Sequence, residues 1–139
     1  MEEPLTDEML NRLLEAPTPE SFLDGHSLEP RQLAPYLQEL LAAKGLRRIE
    51  VIHRAGLNET HGYQIFTGSR SASRDKLLRL ALAMGLSLTE TDRLLQAGGC
   101  NNLYAKNRRD AIIIFGLVHG YGVMRTDEEL YRFGEETLG

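Results

Sequence analysis

The chain has 139 residues, of which 42% are hydrophobic and 26% charged, values typical of a globular protein with a buried core. The formal net charge of −4 argues against a general nucleic-acid binder, whose surface is basic overall. The longest apolar run, Ala111 to Val118, is interrupted by Gly116 and is much shorter than the roughly 20 residues that cross a bilayer, so we expect no contact with a membrane.

The N-terminal sequence and the cysteine count bear on the cellular compartment. The first ten residues, MEEPLTDEML, lack the basic and apolar regions of a secretory signal peptide. The single cysteine, Cys100, has no partner for an internal disulfide and suits a reducing environment. We therefore expect a cytoplasmic protein.

Charge is distributed unevenly along the chain. Residues 1–30 carry eight acidic and one basic residue, a balance of −7. Residues 31–98 carry ten basic and six acidic residues, a balance of +4, and residues 99–139 carry five basic and six acidic, a balance of −1. The middle segment is thus the one whose charge suits a surface that faces phosphate.

The first 30 residues are predicted to form an acidic arm of two short helices. Thr6 is a suitable N-cap for the first, and Thr18-Pro19 is a typical start for the second, which Gly25 ends. Two interpretations remain open. The arm packs its leucines on the body of the protein, or it binds a protein partner or competes with phosphate for the basic segment.

The middle of the chain, residues 31–99, begins with an amphipathic helix at 35–45 and continues with a predicted helix-turn-helix at 47–65. In this predicted helix-turn-helix, Val51 and Ala55 share one face of the first helix, Gly56 takes the sharp turn, and Asn58 caps the second helix. Two helices around such a turn present the second as a ridge that fits the DNA major groove. An ordinary helical hairpin has the same spacings.

Two more helices follow the motif. After the Gly/Ser loop TGSRSAS, the apolar residues of 73–86 recur at helical spacing. A fifth helix starts with a capping box, Ser87 and Glu90, and ends at Gly98 and Gly99.

Residues 100–139 are predicted to form a C-terminal helical hairpin. Its first helix, 107–120, is apolar around most of its circumference and must be buried against something. Thr126 and Glu129 are predicted to form a capping box for the second helix, which Gly134 ends. The hairpin either completes the core or builds a dimer interface.

The order of five helices over about residues 35 to 98 resembles the phage repressor and Cro-like helix-turn-helix family, often called the XRE family. The resemblance implies an all-α, lambda-repressor-like five-helix DNA-binding domain, here with extra N-terminal and C-terminal helices. It implies a sequence-specific transcriptional regulator that binds double-stranded DNA and commonly pairs as a homodimer. The helix at 58–67 would enter the major groove.

The resemblance also implies which residues contact DNA. Those expected to contact bases are Glu59, Thr60, His61, Tyr63 and Gln64. Gln64 suits a bidentate contact to adenine, and Thr60 can present its methyl group to thymine. Those expected to contact phosphate are Arg47, Arg48, Arg70, Ser73, Arg74 and Lys76.

The sequence departs from the family at several positions. Ile52 stands where the family commonly has alanine, and Gly62 stands where it has an apolar side chain. We expect these two to compensate, because a bulky Ile52 needs a missing side chain opposite it. Phe66 is expected to be a core anchor, and Glu59 would repel phosphate unless it binds cytosine or pairs with Arg48.

Other functions are less well supported by the sequence. The four histidines lack the spacing of a zinc protease, one cysteine cannot build a zinc cluster, and no Walker-type loop occurs, so we expect no enzyme, no metal and no cofactor. The main alternative is a protein-interaction adaptor or signalling partner on a helix-turn-helix scaffold that no longer contacts DNA. Phosphorylation at Arg70-Ser-Ala-Ser73 would oppose DNA binding, although Ser73 is more simply a helix cap.

Overall fold

A computed structural model describes residues 32–139, and the structural statements below concern this range. It contains seven α-helices and no strand, so the predicted all-α class is confirmed for this part of the chain. The helices are α1 (Leu33–Lys44), α2 (Arg48–Arg54), α3 (Glu59–Thr67), α4 (Arg74–Met84), α5 (Leu88–Ala97), α6 (Arg108–Val118) and α7 (Val123–Arg132). The acidic arm predicted for residues 1–30 lies outside the described residues.

Most helix ends lie where the sequence predicts them. Gly45 ends α1 in the left-handed conformation, with φ of 63°. The side chains of Asn58 and Ser73 accept backbone N–H groups at the starts of α3 and α4. The capping box of Ser87 and Glu90 is present in both directions at the start of α5. Local capping chemistry therefore sets the end of α1 and the starts of α3, α4 and α5.

The capping box predicted at Thr126 and Glu129 is wrong. Helix α7 begins at Val123, so Thr126 lies inside its first turns and is completely buried. A Cβ atom on Gly116 of α6 would lie 2.5 Å from Thr126 Oγ1. The glycine therefore permits the close packing of α6 on α7 that buries Thr126.

One apolar core joins all seven helices. Helix α4 packs against α2, α5, α6 and α7, and α1 packs against α3 and α5. The hairpin of α6 and α7 buries Ile113, Leu117 and Leu130 in this core, and Leu138 of the following segment is also buried. The described residues thus form one compact unit. No helix in it is long and apolar enough to span a bilayer.

Candidate nucleic-acid interface

The turn between α2 and α3 is held by an arginine of α4. Gly56 takes the left-handed conformation, with φ of 69°, that the tight turn requires. Arg79 Nε donates to the carbonyl of Ala55 at 2.7 Å, and Arg79 Nη2 donates to the carbonyl of Gly56 at 3.1 Å. These bonds satisfy carbonyls that a helix end leaves without intrahelical partners. They also fix the direction in which α3 starts.

Helix α3 is anchored through its C-terminal half. Ile65 and Phe66 are buried, so the predicted role of Phe66 as a core anchor is confirmed. Gln38 Nε2 of α1 donates to the carbonyl of Phe66 at 3.1 Å. At the other end, the Asn58 side chain accepts the backbone N–H of His61 at 3.1 Å. The helix is therefore fixed at both ends while its outer face remains in solvent.

Gly62 and Ile52 fit together where α3 crosses α2. Both residues are buried. A Cβ atom built on Gly62 would lie 2.7 Å from Ile52 Cγ2 and 2.9 Å from Ile52 Cγ1, closer than real Cβ contacts. The missing side chain at position 62 thus makes the room that Ile52 occupies.

The outer face of α3 carries all five residues predicted to contact bases. Glu59, Thr60 and Tyr63 are exposed, and His61 and Gln64 are half-buried. Glu59 Oε1 lies 3.5 Å from His53 Nε2 of α2, so its neighbour is this histidine rather than Arg48. The structure therefore brings the five together on one accessible polar surface.

His61 is linked to the start of α4. Its Nε2 lies 2.9 Å from Nζ of Lys76. Burial is the largest cause that lowers the pKa of His61, and the positive charges of Lys76 and Arg70 lower it further. At neutral pH the imidazole of His61 is therefore neutral, and its Nε2 accepts a hydrogen bond from the Lys76 ammonium group.

The residues predicted to contact phosphate have different environments. Arg70 is exposed in the loop between α3 and α4 and makes no ion pair with any described residue. The Ser73 hydroxyl accepts the N–H of Lys76 at 3.3 Å, so Ser73 is a helix cap, as its alternative interpretation held. Arg70, Ser73 and Lys76 together flank the outer face of α3.

The arginines of α2 are partly neutralised. Arg47 forms a close ion pair with Glu50, and Arg54 Nη2 lies 4.0 Å from the same carboxylate. Arg48 lies instead over the ring of Tyr63, with its Cζ 4.4 Å from the ring centroid. Arg48 is the residue of the three that reaches across to α3.

Arg74 has contacts that do not fit a phosphate clamp. Its Nη1 and Nη2 donate to the two carboxylate oxygens of Asp110 at 3.0 and 2.9 Å, and Nε and Nη2 donate to the carbonyls of Asn101 and Asn102. The hydrogen bond to Asp110 is the largest cause that raises the pKa of Arg74. Its guanidinium is therefore committed to the packing of α4 on α6, and its donors are not available to a phosphate.

A second arginine links the same two helices, this time from α6 to α4. Arg109 of α6 donates through Nη1 and Nη2 to the carboxylate of Asp75 at 2.9 and 3.0 Å. It also donates to the carbonyls of Glu136 and Thr137. We call the two pairs, Arg74–Asp110 and Arg109–Asp75, the crossed clasp. It ties the first turn of α4, beside the candidate interface, to the C-terminal hairpin.

The charged residues that support the site, Arg79, Arg109 and Asp110, were not predicted from the sequence. Arg79 lies among the buried leucines of α4, and a charge within an apolar run was a usable indication of a specific partner. Arg109 and Asp110 gave no such indication, because adjacent charges at a helix start are common on solvated surfaces.

The outer side of the C-terminal hairpin carries an apolar groove. It encloses about 610 Å³ and lies between α6 and α7. Phe115 and Phe133, which are 50% and 44% exposed, line it together with Ala111 and Ile112. This surface lies on α6 and α7, outside the helices that carry the candidate interface.

Comparison with known proteins returns no relative. No family model matches the chain, and neither a curated protein nor a solved structure matches it. Among the described residues, no group of three His, Cys, Asp or Glu side chains is arranged to hold a metal ion.

Proposed function

We propose that the protein is a sequence-specific DNA-binding transcriptional regulator, with α1 to α5 forming a lambda-repressor-like domain of the XRE type. Helix α3 enters the major groove, and Glu59, Thr60, His61, Tyr63 and Gln64 face the base edges. The observation that carries this proposal is the position of α3. It is capped and anchored at its ends, follows a turn held by Arg79, and exposes a polar face.

Phosphate contacts complete the proposed interface. Arg70 and Lys76 flank the recognition helix, and the N-terminus of α4 adds the positive end of a helix dipole. Arg47 contributes less, because Glu50 already neutralises it. Two copies on two half-sites would raise an affinity that one modest basic face cannot supply alone.

The experiment is selection from random duplex DNA, followed by binding of the enriched duplex over a salt series. We expect an enriched motif, and we expect Arg70→Ala to weaken binding to all duplexes with a salt slope smaller by about 1. Gln64→Ala should instead cost about 1–3 kcal/mol and relax the preference at one position. Arg125→Ala removes an exposed arginine of α7 and serves as the control.

The absence of any enriched motif, together with no binding at low salt, would refute the proposal. That result favours the second candidate, a protein-interaction adaptor on the same scaffold. The observation in its favour is the acidic residues of the motif, where Glu50 of α2 pairs with Arg47 and Arg54 and Glu59 of α3 is exposed. Circular dichroism of each variant separates lost binding from lost folding.

A further inference from the structure

The stack of Arg48 on Tyr63 holds a guanidinium group over the recognition helix. Arg48 is the first residue of α2, and its Cζ lies 4.4 Å from the ring centroid of Tyr63 on α3. Tyr63 is 50% exposed, so the pair lies at the surface. Stacking of a planar guanidinium on a ring restricts the orientations that a long side chain would otherwise sample.

The donors of this guanidinium are still available. Arg47 and Arg54 pair with Glu50, and the neighbour of Glu59 is His53. Within residues 32–139, Arg48 forms no ion pair that would occupy its donors in the same way. Arg48 therefore differs from Arg47 and Arg54: its guanidinium is oriented by Tyr63 and forms no ion pair.

Arg48 and Glu59 line one open cleft from two helices. The cleft encloses about 470 Å³, and its lining is Arg47, Arg48, Ile49, Ile52, Glu59, Thr60 and Tyr63. The cleft thus offers a rigid fork of N–H donors from α2 and a carboxylate acceptor from the start of α3. The donors of Arg48 and the carboxylate of Glu59 thus face the same space beside the base-contacting residues.

This polar pattern is complementary to one base pair. In the major groove guanine presents N7 and O6 as acceptors, and its partner cytosine presents the N4 amino group as a donor. An adenine–thymine pair presents an adenine donor toward the position that an arginine fork would occupy, so the fork disfavours it. A phosphate contact, in contrast, needs no neighbouring carboxylate, because the negative charge of Glu59 would repel the phosphate.

We propose that the cleft recognises a guanine–cytosine pair, with Arg48 donating to O6 and N7 of guanine and Glu59 accepting from N4 of cytosine. The proposal rests on the proposed function, because it needs α3 to lie in the major groove. It moves Arg48 from the phosphate-contacting residues to the base-contacting residues. It also gives a role to Glu59, whose charge would otherwise only repel the DNA backbone.

The test compares selection profiles of the wild type, Arg48→Lys and Arg125→Lys. Arg48→Lys keeps the charge but removes the planar fork, so one G·C preference of the wild-type motif should disappear. Replacing that pair by A·T should weaken the wild type by about 5- to 150-fold and the variant much less. Arg125→Lys, which changes an exposed arginine of α7 outside the cleft, should keep the full motif.

Two further measurements address the atoms involved. Replacement of the guanine by 7-deazaguanine removes the N7 acceptor, and it should weaken the wild type but leave Arg48→Lys nearly unchanged. Glu59→Ala should raise the affinity for random duplex DNA, because it removes a negative charge, and should lower the preference for cytosine at the same pair. A merely structural Glu59 would not change these two quantities in opposite directions.

The outcomes separate this inference from the proposed function. An enriched wild-type motif that Arg48→Lys leaves intact overturns the inference and leaves the function standing. Equal weakening of all duplexes by Arg48→Ala also overturns it, since that is the behaviour of a phosphate contact. The absence of any wild-type motif overturns both. Thermal melting of each variant confirms that the compared proteins are folded.

Discussion

At the scale of single residues, Gly62 is a helix position where steric packing outweighs helix propensity. Glycine inside a helix costs about 1 kcal/mol relative to alanine. Here a Cβ at position 62 would lie 2.7 to 3.1 Å from three carbon atoms of Ile52. Overpacking of this kind typically costs about 1–3 kcal/mol, so steric exclusion outweighs the propensity gain.

Gly62→Ala should therefore destabilise the protein by about 1–3 kcal/mol when Ile52 is present. In an Ile52→Ala background the same change should stabilise it by up to about 1 kcal/mol, because the clash is gone and only the propensity gain remains. Chemical denaturation of the four variants gives the coupling energy directly. A higher stability of the Gly62→Ala single variant would show that compensation is absent.

The sequence allowed this pairing to be anticipated because both residues depart from a pattern at facing positions of one motif. It did not allow the contact between Arg48 and Tyr63 to be anticipated, because an exposed arginine has many rotamers of similar energy. Side-chain geometry at the surface is decided by neighbours that are distant in sequence. The candidate base-contacting residues were thus predicted as a set, while their local partners were not.

At the scale of helices, the crossed clasp fixes α4 against α6. The Asp110 side chain is only 8% exposed, and both of its oxygens accept from Arg74. The backbone N–H of Tyr104 also donates to it at 3.0 Å. A buried carboxylate with this many donors is stabilising only while its partners stay in place, since burial alone would disfavour the charge.

Asp110→Asn should lower stability by about 3 kcal/mol, because it leaves the half-buried Arg74 without a counter-charge. Glu50→Gln removes a carboxylate from the exposed pair with Arg47 and is the matched control. That variant should lose less than about 1 kcal/mol. Urea denaturation at neutral pH compares them, and equal losses would contradict the proposed importance of burial.

The contribution of Asp110 should also depend on pH in a defined direction. Burial by itself raises the pKa of Asp110, but the hydrogen bonds from Arg74 and Tyr104 and the charges of Arg74 and Arg109 outweigh it and lower the pKa below its usual value. An unfolded aspartate binds its proton first as the pH falls, so the stabilisation is complete above the ordinary aspartate pKa and is lost as the pH falls through the lowered one. The stability difference between wild type and Asp110→Asn should shrink in that acidic range, and a constant difference would exclude this linkage.

Helix boundaries could be predicted wherever a cap is local. Asn58, Ser73 and Ser87 each bond to backbone within three residues, and the sequence contains all the information for such bonds. The start of α7 could not be predicted in this way, because no side chain caps it. Thr126 has the chemistry of a cap, but tertiary packing against Gly116 places it inside the helix.

At the scale of the whole molecule, the C-terminal hairpin and the five preceding helices share one core. Ile113 is completely buried, and α6 packs against both α4 and α5. The sequence alone left open whether the apolar helix at 107–120 completes the core or forms a dimer interface. Its periodicity could not decide, because Phe115 and Val118 are as apolar as Ile113 but are 50% and 67% exposed.

Ile113→Ala should lower the stability of the whole described unit by about 2–5 kcal/mol. Because the core is shared, amides of α3 and α6 should lose protection from hydrogen exchange together. Val118→Ala, an exposed position on the same helix, should change stability by less than about 0.5 kcal/mol. Loss of protection confined to α6 and α7 would instead identify the hairpin as an independently unfolding element.

The fit between Ile52 and Gly62 also restricts how such a pair can arise by successive substitutions. Starting from a small residue at 52 and a larger one at 62, the change to glycine first leaves an empty space, whose cost in stability grows with the volume of the cavity. The change to isoleucine first produces a strained protein, because Ile52 then meets a side chain that it cannot displace. Once both changes are present, either reversal alone is unfavourable, since one leaves a cavity and the other a collision. The contact between Ile52 and Gly62 therefore disfavours a return to the earlier pair of residues by single substitutions.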